Sequence, residues 1–222
     1  VSIMFSRGFR ILLLLLGFAL SIVTAAQINI SAELLAKVEK KYGVAGRIRV
    51  EEWRQLLDSQ AAKNLPEKEK LKKVNDFFNQ RIDFVDDIVL WKVNDYWATP
   101  IEFLAQGAGD CEDYAIAKYF TLKALGVPEE KIRITYVKAL ELNQAHMVLT
   151  YFETPRSVPV VLDNLIPQIK PASQRSDLLP VYSFNGSGLW LAKARGSGQR
   201  VGGTERLSLW TDLTQRMMRD AL

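Results

Sequence analysis

The chain is short of the residues that small reactive proteins usually repeat. Its 222 residues contain one cysteine and one histidine. A lone cysteine excludes an internal disulfide framework, and one Cys with one His excludes the common Cys/His zinc sites. Excess charge of one sign is also scarce. The 29 Lys+Arg stand against 25 Asp+Glu, a formal +4, which is too balanced to mark a nucleic-acid binder. Any Cys–His chemistry must therefore run through Cys111 and His146, which would have to meet in space. With 48% apolar residues, the length suffices for a real core in one or two domains.

One long apolar run stands apart from the rest. Arg7 and Arg10 precede Ile11 to Val23, which is nearly all apolar, and the small residues Thr24, Ala25 and Ala26 follow. This is the order of a secretory signal peptide, here residues 1–26, with a cleavage site at its end. The run is shorter than the roughly 20 residues of a membrane span. An uncleaved N-terminal anchor is the alternative, and it too would place the remainder outside the cytoplasm. Without Arg7 and Arg10, 29 basic residues become 27 against 25 acidic, so about half the formal charge belongs to the export signal. An exported lone thiol must stay free in an oxidising compartment.

Residues 27–222 read as a single α+β domain, with no internal repeat and no dividing linker. Ser31 caps a helix carrying Leu34, Leu35 and Val38, and Gly43 stops it. A second helix covers Val50 to Ala62 through Trp53, Leu56 and Leu57. A third starts at Pro66 and carries Leu71, Val74, Phe78 and Ile82, its Glu67–Lys70 charge run forming a solvated face. Thr99 to Glu102 is a capping box. Asp110-Cys111-Glu112-Asp113 then opens a helix that runs to Leu125. Beyond Gly126 the pattern turns to strands at Lys131–Val137, Met147–Phe152 and Val158–Leu162. A hairpin is expected around Asn185–Gly188, a loop at Arg195–Gly203, and a terminal helix through Leu207, Trp210, Leu213 and Met217.

Cysteine in the first turn of a helix is well placed for thiolate chemistry, because unpaired N–H groups and the helix dipole favour the anion. A buried structural cysteine is the bland alternative, but Asp110, Glu112 and Asp113 are poor company for one. His146 supplies an independent test. A hairpin centred on Thr154-Pro155 would set His146 directly opposite Asp163, with Cβ atoms roughly 4.5–5.5 Å apart. A carboxylate so placed orients an imidazole, and with Cys111 the set follows nucleophile–base–orienter logic. A bulge would break that opposition. The three acids beside Cys111 oppose a thiolate and repel one another. Asp110 is absorbed as an N-cap and Asp113 as its capping partner, whereas Glu112 has no such role. A hard divalent cation would neutralise them, and all-oxygen ligation favours Ca2+. A merely acidic, well-capped helix start is the alternative.

Four segments carry a resemblance: Asp-Tyr-Trp-Ala-Thr-Pro (95–100), Gly-Asp-Cys-Glu-Asp-Tyr (109–114), Ala-His-Met-Val-Leu (145–149) and Val-Leu-Asp-Asn (161–164). Together they resemble the bacterial transglutaminase-like cysteine proteinases, in particular their LapG-type periplasmic adhesin proteases, over residues 30–220. The resemblance implies a papain- or transglutaminase-like α+β fold, with the cysteine on a central helix packed on an antiparallel sheet. It implies Cys111, His146 and Asp163 as catalytic residues and Ca2+ bound by acids matching Asp110, Glu112 and Asp113, with further ligands open around Asn94–Trp97. It also implies a periplasmic endopeptidase that cuts a large surface adhesin near an Ala-Ala pair in its N-terminal region and so promotes biofilm dispersal. Sequestration by an inner-membrane cyclic-di-GMP receptor follows from the same likeness. Trp97 would supply an oxyanion donor or line the groove, a core role being the alternative. Two rival readings keep other functions in view: an exported thiol hydrolase or transglutaminase acting on cell-wall peptides, and a non-enzymatic calcium-dependent adaptor.

Overall fold

The computed structural model describes residues 28–192 and 198–220; the expected export segment, residues 1–26, lies outside them. Ser31 Oγ accepts from Leu34 N–H and starts α1 (Ala32–Asp58), which Gly43, at φ 78°, kinks without ending. The two expected helices therefore run on from one another, and the second begins before Val50. It stops at Ser59, whose side chain caps the short α2 (Gln60–Lys63). Pro66 then precedes α3 (Glu67–Asn79). Ile82 lies past its end but is buried with Leu71, Val74 and Phe78.

The Glu67–Lys70 run is not simply a solvated face. Lys70 is buried, and Glu67 accepts from Lys131 Nζ at 2.9 Å and from the Tyr151 hydroxyl, which ties α3 to the sheet.

Between the helices a small parallel pair sets up the site. β1 (Asp83–Phe84) pairs with β2 (Ala108–Gly109), and α4 (Asp87–Leu90) and α5 (Pro100–Gln106) lie between them in sequence. The Thr99–Glu102 capping box forms as expected, and Gly107 closes α5 in the left-handed region at φ 75°. Arg49 donates to the Leu104 and Ala105 carbonyls at 2.6 and 2.7 Å, satisfying acceptors that the helix end leaves open. At Gly109 an added Cβ would lie 2.4 Å from Asp113 Oδ2 and 2.6 Å from the Phe103 ring. Only glycine permits this close approach just before the next helix.

That helix, α6 (Cys111–Ala124), is buried on most sides by residues including Tyr114, Ile116, Lys118, Tyr119 and Leu122. It packs on one face of a seven-stranded antiparallel sheet of order β6-β5-β4-β3-β7-β8-β9. The strands are β3 (Ile132–Ala139), β4 (Gln144–Tyr151), β5 (Val160–Leu162), β6 (Lys170–Pro171), β7 (Leu178–Asn185), β8 (Gly188–Leu191) and β9 (Gln199–Gly202). Met147, Leu149 and Tyr151 join the main core, while Val148 joins Val137 and Val161 in a small cluster, as strand alternation requires. The Asn185–Gly188 hairpin forms as expected. The expected 195–203 loop is corrected within the described residues, because Gln199 and Arg200 pair with Leu191 and Trp190 and extend the sheet edge. α7 (Ser208–Asp220) docks through Trp210 and Leu213; Trp210 stacks on Phe120 at 5.6 Å and meets Phe184 edge-on at 5.3 Å. Among the described residues no helix is long and apolar enough to cross a membrane.

α1 is fastened to α6 by Trp53, which is fully buried and donates its indole N–H to Thr121 Oγ1 at 2.8 Å. Trp53→Ala removes a large core side chain and leaves Thr121 without this donor. It should cost about 3–5 kcal/mol in urea unfolding, whereas a loss below about 1 kcal/mol would show that the helical layer packs without it.

Candidate active site

Two helical turns before Lys118, the start of α6 places Cys111 at the wall of a cleft of about 560 Å³. His146, Trp97, Tyr136, Tyr182 and Leu165 line the same cleft. Cys111 is half-buried. Its sulphur hydrogen-bonds Glu112 Oε2 at 3.1 Å and accepts from the Met147 backbone. Among the described residues it makes no hydrogen bond with His146. Burial, then the Glu112 and Asp110 carboxylates, push the thiol up, against the weaker pull of the Met147 N–H. Helix position alone predicts a lowered thiol pKa, so burial and the neighbouring carboxylates reverse that expectation.

His146 is buried at the start of β4, and its Nε2 lies 2.8 Å from Asp163 Oδ1. The expected direct opposition is corrected. The ladder pairs Leu149 with Leu162 and Thr150 with Val161, two residues away from the predicted register. The reason is the turn. Ser157 N–H donates to the Thr154 carbonyl at 3.1 Å, and Ser157 Oγ braces both ends of Thr154, so the reversal centres on Pro155-Arg156. Asp163 then falls just beyond the last pair, in line with Val148, and reaches His146 on the diagonal. Such neighbours on one face remain within reach of long side chains.

Burial alone would raise the Asp163 carboxyl, but hydrogen bonding and charge from His146, then Arg175, overcome it and hold it down at about 2. The ionised carboxylate can only accept, so His146 Nε2 is the donor, and Nδ1 is the ring nitrogen left to exchange a proton. Arg175 Nη2 donates to Asp163 Oδ2 at 2.7 Å, with both side chains nearly inaccessible. Asn79 Nδ2 and the buried Lys118 Nζ donate to the Asp163 carbonyl at 2.7 and 3.2 Å. The sequence reading missed all three. Nothing in the local pattern around Ser-Gln-Arg-Ser marks Arg175; the signal is the need of a buried acid for a counter-charge.

The acids form a larger cluster than the three expected. Ligand atoms of Asp87, Asp95 and Glu112 lie within 4.8 Å of one another, as do those of Asp87, Asp110 and Asp113, and of Asp110, Cys111 and Glu112. Asp113, fully buried, accepts from Ala98 N–H at 2.8 Å and Asp110 N–H at 3.3 Å, so both its oxygens already serve the backbone. Asp87 Oδ1 and Asp110 Oδ1 are buried and find no hydrogen-bond partner among the described residues. Burial, opposed by the Tyr96 N–H and helped by Glu112, Asp95 and Asp86, lifts Asp87 to about 6. Burial with Glu112 and Asp113 pushes Asp110 to about 10. Orphaned oxygens and mutual repulsion on an all-oxygen donor set fit a hard divalent cation, so these residues can form a metal site. Trp97 stacks on Phe184 at 5.6 Å, and its side chain hydrogen-bonds Asp95, which places it in the cleft wall and beside the acids at once.

The profile of the family described as bacterial transglutaminase-like cysteine proteinase, BTLCP, matches residues 52–188. The chain belongs to this family. Its fold is similar to that of Legionella pneumophila LapG, with 47% identity over 85% of this chain and 98% of that one and a TM-score of 0.72. EGTA-treated LapG gives 48% identity, 85% and 98% coverage and a TM-score of 0.73. Calcium-bound LapG gives 48% identity, 85% and 99% coverage and a TM-score of 0.70. No curated protein sequence matches significantly. The chain is thus a transglutaminase-like cysteine protease, with the mixed helix and antiparallel-sheet fold that membership entails.

The ionised Asp163 makes acid stability a test of the His146–Asp163–Arg175 assembly. Its folded pKa of about 2 lies below the ordinary 3.8, so its contribution is full above about pH 4 and is lost as pH falls through about 2. The difference amounts to about 2 kcal/mol. Urea unfolding from pH 6 to 2 should therefore show a steeper acid loss for the wild type than for Asp163→Asn; parallel curves would contradict the assembly.

Proposed function

We propose that this protease is a periplasmic, calcium-dependent endopeptidase that cuts a large surface adhesin near an Ala-Ala pair in its N-terminal region. Release of the adhesin would promote biofilm dispersal, and sequestration by an inner-membrane cyclic-di-GMP receptor would restrain it. The observation that carries the catalytic part is the His146–Asp163 contact at 2.8 Å in the cleft that Cys111 lines. Likeness to LapG over nearly its whole length, one of those structures being calcium-bound, supports the protease and the cation, while the export-type order of residues 1–26 supports the compartment.

The chemistry follows from the groups present. The Cys111 sulphur attacks the scissile carbonyl carbon, and its proton passes to His146 Nδ1. Asp163 accepts from Nε2 and stabilises the imidazolium. The Cys111 backbone N–H, unpaired at the start of α6, is placed to donate to the developing oxyanion. Collapse of the tetrahedral intermediate breaks the C–N bond as His146 returns its proton to the leaving amine. Water then repeats the sequence on the thioester and frees the acid.

Glu112 is the obstacle, because it holds the thiol that His146 must deprotonate. Asp87, Asp95, Asp110 and Glu112 would hold the cation, with Asp113 bracing the loop from behind. A cation held there would supply neutralising positive charge, which would weaken the hold of Glu112 on the thiol. Trp97, Tyr136 and Tyr182 give the cleft apolar walls on which an extended peptide can lie.

The test is cleavage of an adhesin N-terminal fragment containing the Ala-Ala pair, beside purified peptidoglycan. Wild type with Ca2+ should cut the fragment alone, at one position, and Cys111→Ala should not cut at all. A chelator should abolish wild-type cleavage, and added Ca2+ should restore it. Cleavage of peptidoglycan instead would replace the adhesin reading, activity in Cys111→Ala would overturn the nucleophile, and full activity in chelator would overturn the cation requirement.

A further inference from the structure

We infer that Arg216 is a positioning residue for the cation cluster: from α7 it fixes the loop that brings Asp95 to Asp87 and Glu112. The inference rests on the cation reading above. Its starting point is a mechanical problem. Ligand oxygens of Asp95, Asp87 and Glu112 lie within 4.8 Å of one another, so like charge works to drive the Asp95 loop away from the cluster. Two tethers on that loop come from the cluster itself: Tyr96 N–H donates to Asp87 Oδ2 at 2.5 Å, and Ala98 N–H to Asp113 Oδ1 at 2.8 Å. Tethers of that kind move when the acids move.

Arg216 anchors the loop from outside. Its guanidinium, mostly covered at 14% side-chain exposure, donates from Nη2 to the Trp97 carbonyl at 2.5 Å. Nη1 donates to the Tyr96 hydroxyl at 3.0 Å and to Glu102 Oε2 at 2.6 Å. The Tyr96 hydroxyl in turn donates to Glu102 Oε1 at 2.9 Å, and the guanidinium lies 4.6 Å from the Tyr96 ring centroid. Asp212, one turn earlier on α7, accepts from Nε at 2.8 Å and aims the fork. Glu102 is itself held by the Thr99 capping box. Arg216 therefore ties α7 and the start of α5 to the two residues that follow Asp95. Its charge is met by Glu102 and Asp212, so its effect on the acids is geometric.

The same helix borders the cleft. Leu207, Ser208 and Leu209, at and just before the start of α7, line it with Cys111. Trp210 and Leu213 seat the helix in the core. Cation binding and the docking of α7 are thus linked through Arg216, and each strengthens the other by the same factor.

Calcium titration of the full chain by calorimetry tests this, with folding followed by circular dichroism. Arg216→Gln should weaken Ca2+ binding by about 10–100-fold, the range for residues that orient ligands without touching the metal. Arg216→Lys, which keeps the charge but not a planar fork for three acceptors, should fall between it and wild type. Cleavage lost at limiting Ca2+ should return when Ca2+ saturates. Unchanged affinity in either folded variant overturns the inference, even if its stability in chelator drops, since that pattern marks a purely structural arginine. If Arg216→Gln does not fold, Arg216→Lys decides alone. Absence of Ca2+ binding by wild type overturns the cation reading itself.

Discussion

Like charge crowded around one thiol is the constraint on which this molecule turns. Asp87, Asp95, Asp110, Glu112 and Asp113 converge on the first turn of α6, where repulsion and burial both work against assembly. Covalent connectivity and backbone hydrogen bonds hold them there. The β1–β2 pair carries the start of α4 to the chain preceding Asp110, Gly109 lets that chain pass against Phe103 and Asp113, and Asp113 fastens the Ala98 and Asp110 amides. The fold thus builds an electrostatically unfavourable pocket on rigid supports. A cation seated among these oxygens would relieve that repulsion.

The opposite side of the cleft follows the reverse logic. Asp163 is as buried as Asp113, yet it is ionised, because His146 and Arg175 surround it with donors. Two buried aspartates are thus pushed in opposite directions, Asp113 up by burial and the Glu112 charge and Asp163 down by its donors. α6 links the two sides. Cys111 is its first residue, and Lys118, two turns on, donates to the Asp163 main chain. One helix therefore sets both the thiol and the backbone of the acid that bonds His146.

Much of this was legible in the sequence where the signal is local. The capping boxes at Thr99 and Asp110, the central helix and the Asn185–Gly188 hairpin all follow from residue chemistry at fixed short spacing. Cys111, His146 and Asp163 were reached by exclusion and strand pairing, and the pairing was two residues out because one serine moved the turn. His146 and Asp163 meet all the same, since a two-residue shift keeps side chains on one face. Arg175, Asn79, Lys118 and Asp87 were not legible. Each acts across more than ten residues of sequence or through a buried partner, where no periodicity exists to read. Asp95 fell within a segment left open for ligands, and Glu67 looked solvated because its partners Lys131 and Tyr151 lie on distant strands.

Control of the Cys111 thiol by Glu112 and its neighbours is tested most directly by the rate of Cys111 alkylation by iodoacetamide at pH 7, with Ca2+ and with chelator. Alkylation follows the thiolate fraction, which changes about tenfold per unit of thiol pKa. Alkylation should be slow in chelator and rise by about tenfold or more with Ca2+. Equal rates in the two conditions would contradict that control.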